Sequence, residues 1–331
     1  MTDNIGNAAA ASSQRLEYID IAKGIGIFLV VIGHCVDRGG LPSIYIFSFH
    51  MPLFFILSGL CFNEKKYSDF LPFFKKRVRT LFLPLIYFSV ILLLLTALVG
   101  NDFYTIENLS KGRFHCALWF ICVLFFTELF YWFINHVFRQ ITIKIVILLF
   151  CLFIGVALDR WGILLPFSIC TVWSATFFYG IGNMCRSNIS KWLAHTPILG
   201  GGVLLLIPLL SAYYIHKPFR MIDNSFPSPA ILTCTVALMG AVGVLVVSNT
   251  LTKVDKRIKN IMLYIGKNTL VIMCVHEFYI RLTYQFIEPY ISSYLIAKTV
   301  DQIALWLMLL ISIRLINARV PWLVGKSRAK A

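Results

Sequence analysis

Ten apolar stretches punctuate the chain, at residues 19–36, 44–62, 80–99, 116–135, 141–157, 163–183, 197–215, 229–249, 261–282 and 296–316. Most approach the ~20 residues that a helix needs to cross ~30 Å of hydrocarbon. The pattern predicts an all-α, polytopic integral membrane protein with about ten transmembrane helices in one bundle. The fifth stretch is short, and Gly266 and Lys267 interrupt the ninth. Residues 1–14 are polar and rich in Ala and Ser, without the Lys or Arg that opens a secretory signal. They read as a disordered cytoplasmic tail, followed by a membrane domain at 15–320 and a basic cytoplasmic tail at 321–331.

Composition excludes a soluble fold. The chain is 59% hydrophobic and 14% charged, against about 45–50% and about 25% in soluble domains. Its net charge of +15 is spread over short runs between apolar stretches, which argues against a nucleic-acid surface. The runs alternate across the membrane. One side collects Arg15, the six basic residues from Lys65 to Arg79, the group from Lys253 to Lys267, and the carboxy-terminal Lys and Arg residues. The other side holds few, among them Arg38, Lys111 and Arg113. This bias predicts an even number of spans with both termini in the cytoplasm. The nine cysteines are isolated, with no CxxC or metal-finger spacing, and read as small core residues in a reduced setting.

Charged residues inside spans are costly and usually face a cavity or a partner. The first span, YIDIAKGIGIFLVVIGHCV, carries Asp20, Lys23 and His34. Lys23 and His34 lie almost three helical turns apart on one face, about 16 Å along the axis. Asp20 is one turn before Lys23 and can pair with it. These residues form a polar stripe through the membrane, or an interfacial pair below and a helix-end histidine above. In the second span, FSFHMPLFFILSG brings His50, Pro52 and Ser58. Ser58 is a backbone-bonded serine or a nucleophile.

Four positive charges within five residues, Lys75, Lys76, Arg77 and Arg79, precede the third span. Such a cluster meets anionic lipid, or grips a phosphorylated ligand through Arg forks. Glu128 lies in the fourth span, where it pairs with a cation, orients a histidine or binds a substrate hydroxyl. His276 in the ninth span is a hydrogen-bonded core residue or a catalyst. The outer loop at about 216–229 has three prolines and reads as a substrate-side lid or an ordinary loop.

Five segments in this order resemble the acyltransferase-3 family of bacterial membrane O-acyltransferases, particularly its fucose-4-O-acetylase-like branch. They are RLEYIDIAKGIGIFLVVIGH (15–34), FSFHMPLFFILSGLCF (47–62), FFKKRVRTLFLPL (73–85), LWFICVLFF (118–126) and IGKNTLVIMCVH (265–276). The family places a basic residue ten intervening positions before a histidine, here Lys23 and His34. Many members have Arg in the first position, so Lys23 is a departure that this branch shares. The family's RxxR motif becomes KxxR at Lys76–Arg79, with the second basic residue further from Pro84 than usual.

The resemblance implies transfer of an acyl group, usually acetyl, from cytosolic acyl-CoA to a carbohydrate hydroxyl at the outer face of the bacterial inner membrane. Acceptors are lipid-linked or surface polysaccharides, and no cofactor is held. His34 is then the general base, with an acyl-histidine as a second route. Lys23, Lys76, Arg77 and Arg79 bind the donor, its pantetheine arm threading along the first span toward His34. Glu128 is a candidate orienter, and Asp20, His50, Ser58, Trp119 and His276 support substrate or structure. A proton-coupled transporter or flippase is the rival class. Such carriers commonly show two similar halves, and the sequence shows no such similarity.

Overall fold

The structure is a computed structural model of the chain. It describes residues 2–37, 39–100, 103–112, 117–227, 229–254, 256–291 and 293–326, leaving aside the side chains of 2–16, 294 and 295. The expected tail at 1–14 and residues 327–331 lie outside that side-chain description, as do Arg38 and Arg113. In chain order the helices are α1 (Thr2–Cys35), α2 (Leu41–Phe47), α3 (His50–Cys61), α4 (Phe70–Arg77) and α5 (Leu83–Val99). There follow α6 (Ile106–Ser110), α7 (Leu118–Val137), α8 (Ile141–Arg160), α9 (Thr171–Cys185) and α10 (Ile189–His195). The last are α11 (Ile198–Ile215), α12 (Ala230–Leu251), α13 (Lys256–Lys267), α14 (Thr269–Phe286) and α15 (Tyr294–Arg319).

Among the described residues, eight helical stretches are long and apolar enough to cross a membrane; α13 and α14, bent by 81°, make a ninth if counted as one. Lipid explains why apolar side chains on them face outward: Phe153 on α8 and Leu199 on α11 are 66% and 75% exposed. Two expected spans differ from the sequence pattern. The stretch at 163–183 becomes α-helical only at Thr171, after a 3-10 turn at Pro166–Ser168. Pro166 has no N–H to donate, and Phe167 and Ser168 take left-handed backbone angles. The resulting α9 has 15 residues, about 22 Å of helix.

The stretch at 261–282 breaks at Asn268, whose side-chain amide donates to the Tyr264 carbonyl at 2.8 Å. That bond takes the place of a backbone donor and ends α13. Before the break, α13 alternates Lys256, Arg257 and Lys259 with exposed Ile258, Ile261 and Tyr264. This is the composition of a helix lying in the headgroup plane.

The chain forms two compact units. The first comprises Met1–Asn63, Ile145–Trp161 and Trp173–Thr269, the second Glu64–Lys144, Gly162–Val172 and Leu270–Ala331. In the first unit, α1 and α13 touch backbone to backbone. A Cβ on Gly24 would stand 2.4 Å from the Met262 carbonyl oxygen, and one on Gly266 1.8 Å from that of Asp20. Small residues permit this approach between membrane helices. Gly266→Ala is therefore expected to cost about 1–3 kcal/mol, read as a lower thermal midpoint in detergent. An unchanged midpoint would mean that α1 and α13 do not meet here.

The loop at 216–229 is tied down at its centre. Asn224 is buried; it accepts from the Ser174 hydroxyl at 3.0 Å and donates to the Gly155 carbonyl at 2.7 Å. The Phe226 amide donates to Asp159 at 3.1 Å, and Phe219 packs on Phe226. These bonds make residues 219–226 a fixed cover over α8 and α9.

In the second unit, α4 runs through a π turn into α5, and α7 packs against both. Tyr67, Phe70, Phe73 and Trp132 form its aromatic core, and the Trp132 indole donates to the Tyr67 carbonyl at 2.7 Å. A short 3-10 turn, Pro321–Val324, returns the chain to α5.

Candidate active site

In the first unit, α1 is continuous from Glu17 to Cys35. Lys23 and His34 therefore stay on one face, as their spacing requires. The Lys23 ammonium is 3.7 Å from Asp20 Oδ1 and 4.0 Å from the Cys61 sulfur at the end of α3. Ser58 lies half-buried one turn before Cys61, on the side of α3 that Lys23 approaches. Toward the other end of α1, the His34 ring stands edge-on to Phe47 with centroids 5.5 Å apart, and Phe47 lies 4.8 Å from His50. The last residue of α2 thus packs against the imidazole of His34. His50 is buried, and its Nδ1 lies 2.9 Å from the Ile46 carbonyl, to which it donates.

The second unit divides the basic cluster. Residues i and i+4 stack on one helix face, while i+2 points nearly opposite. Lys75, Lys76, Arg79 and Thr80 accordingly line one open cavity of ≈ 720 Å³, together with Gly325 and Lys326. Lys76 also donates to the Tyr67 hydroxyl at 2.9 Å. The helix widens at Val78–Phe82, where the Leu83 amide reaches back to the Val78 carbonyl. Pro84 causes this, because it offers no N–H to the carbonyl of Thr80 one turn earlier.

Gly325 seats the end of the described chain on this turn. Its φ is +70°, and a Cβ there would stand 2.7 Å from the Arg79 carbonyl oxygen. Trp322 packs edge-on against Tyr87 at 5.2 Å. Lys326, next in sequence, donates to Asn317 Oδ1 at 2.8 Å.

Arg77 falls on the opposite side and pairs with Glu128 on α7. Its guanidinium lies 5.2 Å from the Tyr67 ring centre and 5.1 Å from that of Phe73. Glu128 therefore faces a cation, the arrangement of a structural pair. Of the two arginines, the cavity takes Arg79. His276 is fully buried on α14, its Nδ1 against the carbonyls of Ile272 and Met273 at 2.9 and 3.1 Å. Trp119 is buried in the first turn of α7, edge-on to Phe120. The eight described cysteines are free thiols.

The family model for acyltransferase-3, described as an acyltransferase domain, matches residues 16–316. The chain belongs to the acyltransferase-3 family. It is a membrane acyltransferase with several transmembrane helices. No curated protein and no solved structure matches it. The family match contains Lys23, His34, the basic cluster, Glu128 and His276, and ends before Gly325 and Lys326. Lys326 is the cavity-lining residue that the sequence reading did not single out, since it falls in the basic cytoplasmic tail expected at 321–331. Its signal was the Pro321 and Gly325 that bracket a short apolar segment.

Proposed function

We propose that this acyltransferase moves an acyl group, acetyl in the simplest case, from cytosolic acyl-CoA to a hydroxyl of a lipid-linked or cell-surface carbohydrate. The cavity lined by Lys75, Lys76, Arg79 and Lys326 carries the proposal. An acyltransferase needs an activated acyl donor, and CoA bears several phosphates that four clustered cations can hold. The membrane is then the bacterial inner membrane, with both termini in the cytoplasm. Counting α9 and the bent α13–α14 pair as crossings restores ten spans, the even number that the loop charges favour.

His34 acts as the general base in this proposal. Its neutral imidazole takes the proton of the sugar hydroxyl as the hydroxyl oxygen attacks the thioester carbonyl. The new C–O bond forms, the C–S bond breaks, and the CoA thiolate leaves. Lys23, paired to Asp20, holds a polar part of the donor. The fucose-4-O-acetylase-like branch fits the Lys23 departure. No observation favours a transporter.

The test is acyl transfer by purified protein in nanodiscs, supplied with acetyl-CoA and an extracted surface glycan. CoA release should depend on the glycan, and the glycan should gain the mass of one acetyl group. Release indifferent to any carbohydrate overturns the acceptor. Identical glycan masses from cells with and without the protein overturn the proposal as a whole.

A further inference from the structure

We infer that the carboxy-terminal strap, Pro321–Lys326, is a wall of the donor cavity and that Lys326 holds a phosphate of the donor. The inference rests on the donor role proposed above for that cavity. It adds a binding residue that lies outside the family match, which ends at residue 316.

Three contacts make the strap a built element. Gly325 meets the backbone of Arg79 and Thr80 so closely that any side chain would strike the Arg79 carbonyl. Trp322 is fixed against Tyr87 on α5. Asn317, on the last turns of α15, holds the Lys326 ammonium from the side. The strap thereby places a fourth cation beside Lys75, Lys76 and Arg79. An acyl-CoA spreads its phosphates over a diphosphate and a separate ribose phosphate. Three cations on one helix face and one on a separate segment suit such a ligand better than a single group. Asn317 orients the Lys326 ammonium through a neutral amide oxygen.

A phosphate can also come from an anionic lipid headgroup, and the experiment separates the two sources. CoA affinity is measured in nanodiscs of neutral lipid for the wild type, Lys326→Ala, Lys326→Arg, Gly325→Ala and Arg79→Ala. Lys326→Ala is expected to weaken CoA about tenfold, the scale of one charge-assisted hydrogen bond, with Lys326→Arg within about threefold of wild type. Gly325→Ala, which lifts the strap, should reproduce the loss of Lys326→Ala. The Gly325→Ala/Lys326→Ala double variant should lose little more, since both act on one contact.

If Lys326→Ala binds CoA normally while Arg79→Ala does not, the strap has no donor role and the cavity keeps its own. If neither variant changes CoA affinity, the donor role of the cavity fails too. A second arm weighs phosphatidylglycerol retained by each variant through purification. Normal CoA binding with lost phosphatidylglycerol assigns the site to a headgroup and overturns the inference. Lys326 is exposed, so its variants should keep the wild-type thermal midpoint, and a lost midpoint would mean that the residue supports the fold.

Discussion

Replacing His34 with Ala should abolish acyl transfer while leaving the donor bound. General-base catalysis contributes typically 10²–10⁴-fold, so acceptor-dependent CoA release should fall by at least about a hundredfold. CoA affinity should stay within about twofold of wild type, because the cations proposed to hold its phosphates lie outside α1, on α4 and its π turn and on the carboxy-terminal strap. His34 ends α1 against Phe47 and lies outside the packed α1–α13 contact, so the variant should insert and fold. A His34→Ala enzyme that still turns over at more than about a tenth of the wild-type rate removes the base from His34. A variant that loses CoA binding instead makes His34 a donor contact.

Glu128→Ala should produce the largest loss of stability of any single change at the site. Both members of the Arg77–Glu128 pair are largely buried, at 14% and 6% side-chain exposure. Removing the carboxylate leaves the guanidinium among aromatic rings without its counter-charge, a cost of about 3–5 kcal/mol. Replacing both with apolar residues of similar volume is commonly near neutral. The Arg77→Met/Glu128→Leu double variant should therefore regain most of the lost thermal midpoint. Transfer and CoA affinity should return with it, since neither residue lines the cavity. A double variant that is stable but inactive would return Glu128 to catalysis, and one that cannot bind CoA would return Arg77 to the donor.

Hydropathy made most spans legible because a lipid-crossing helix must be both apolar and long. It failed where the backbone decides. Nothing apolar distinguishes Ile163–Cys170 from a helix, yet Pro166 and two left-handed residues fold it into a short 3-10 turn and hold off the α-helix until Thr171. Asn268 likewise hides in a run that reads as one span. The Lys23–His34 face was legible because periodicity along one rigid helix needs no tertiary knowledge. The division of Lys75–Arg79 was also written in that period, which sends Arg77 away from its neighbours. That its partner is Glu128, some fifty residues along the chain, depends on how α7 packs. Lys326 was invisible for a related reason: only the Gly325 seat turns a tail lysine into a cavity wall.

The bare contact between α1 and α13 has a mechanical consequence. A helix in the headgroup plane senses lateral pressure and lipid charge, whereas a crossing helix senses bilayer thickness. At Gly24 and Gly266 no side chain stands between the two backbones to cushion a shift. Crowding or charging the leaflet that holds α13 would push on it, and the push would pass to the helix that bears Lys23 and His34. Membrane tension and the alignment of one lysine and one histidine would then share one backbone contact.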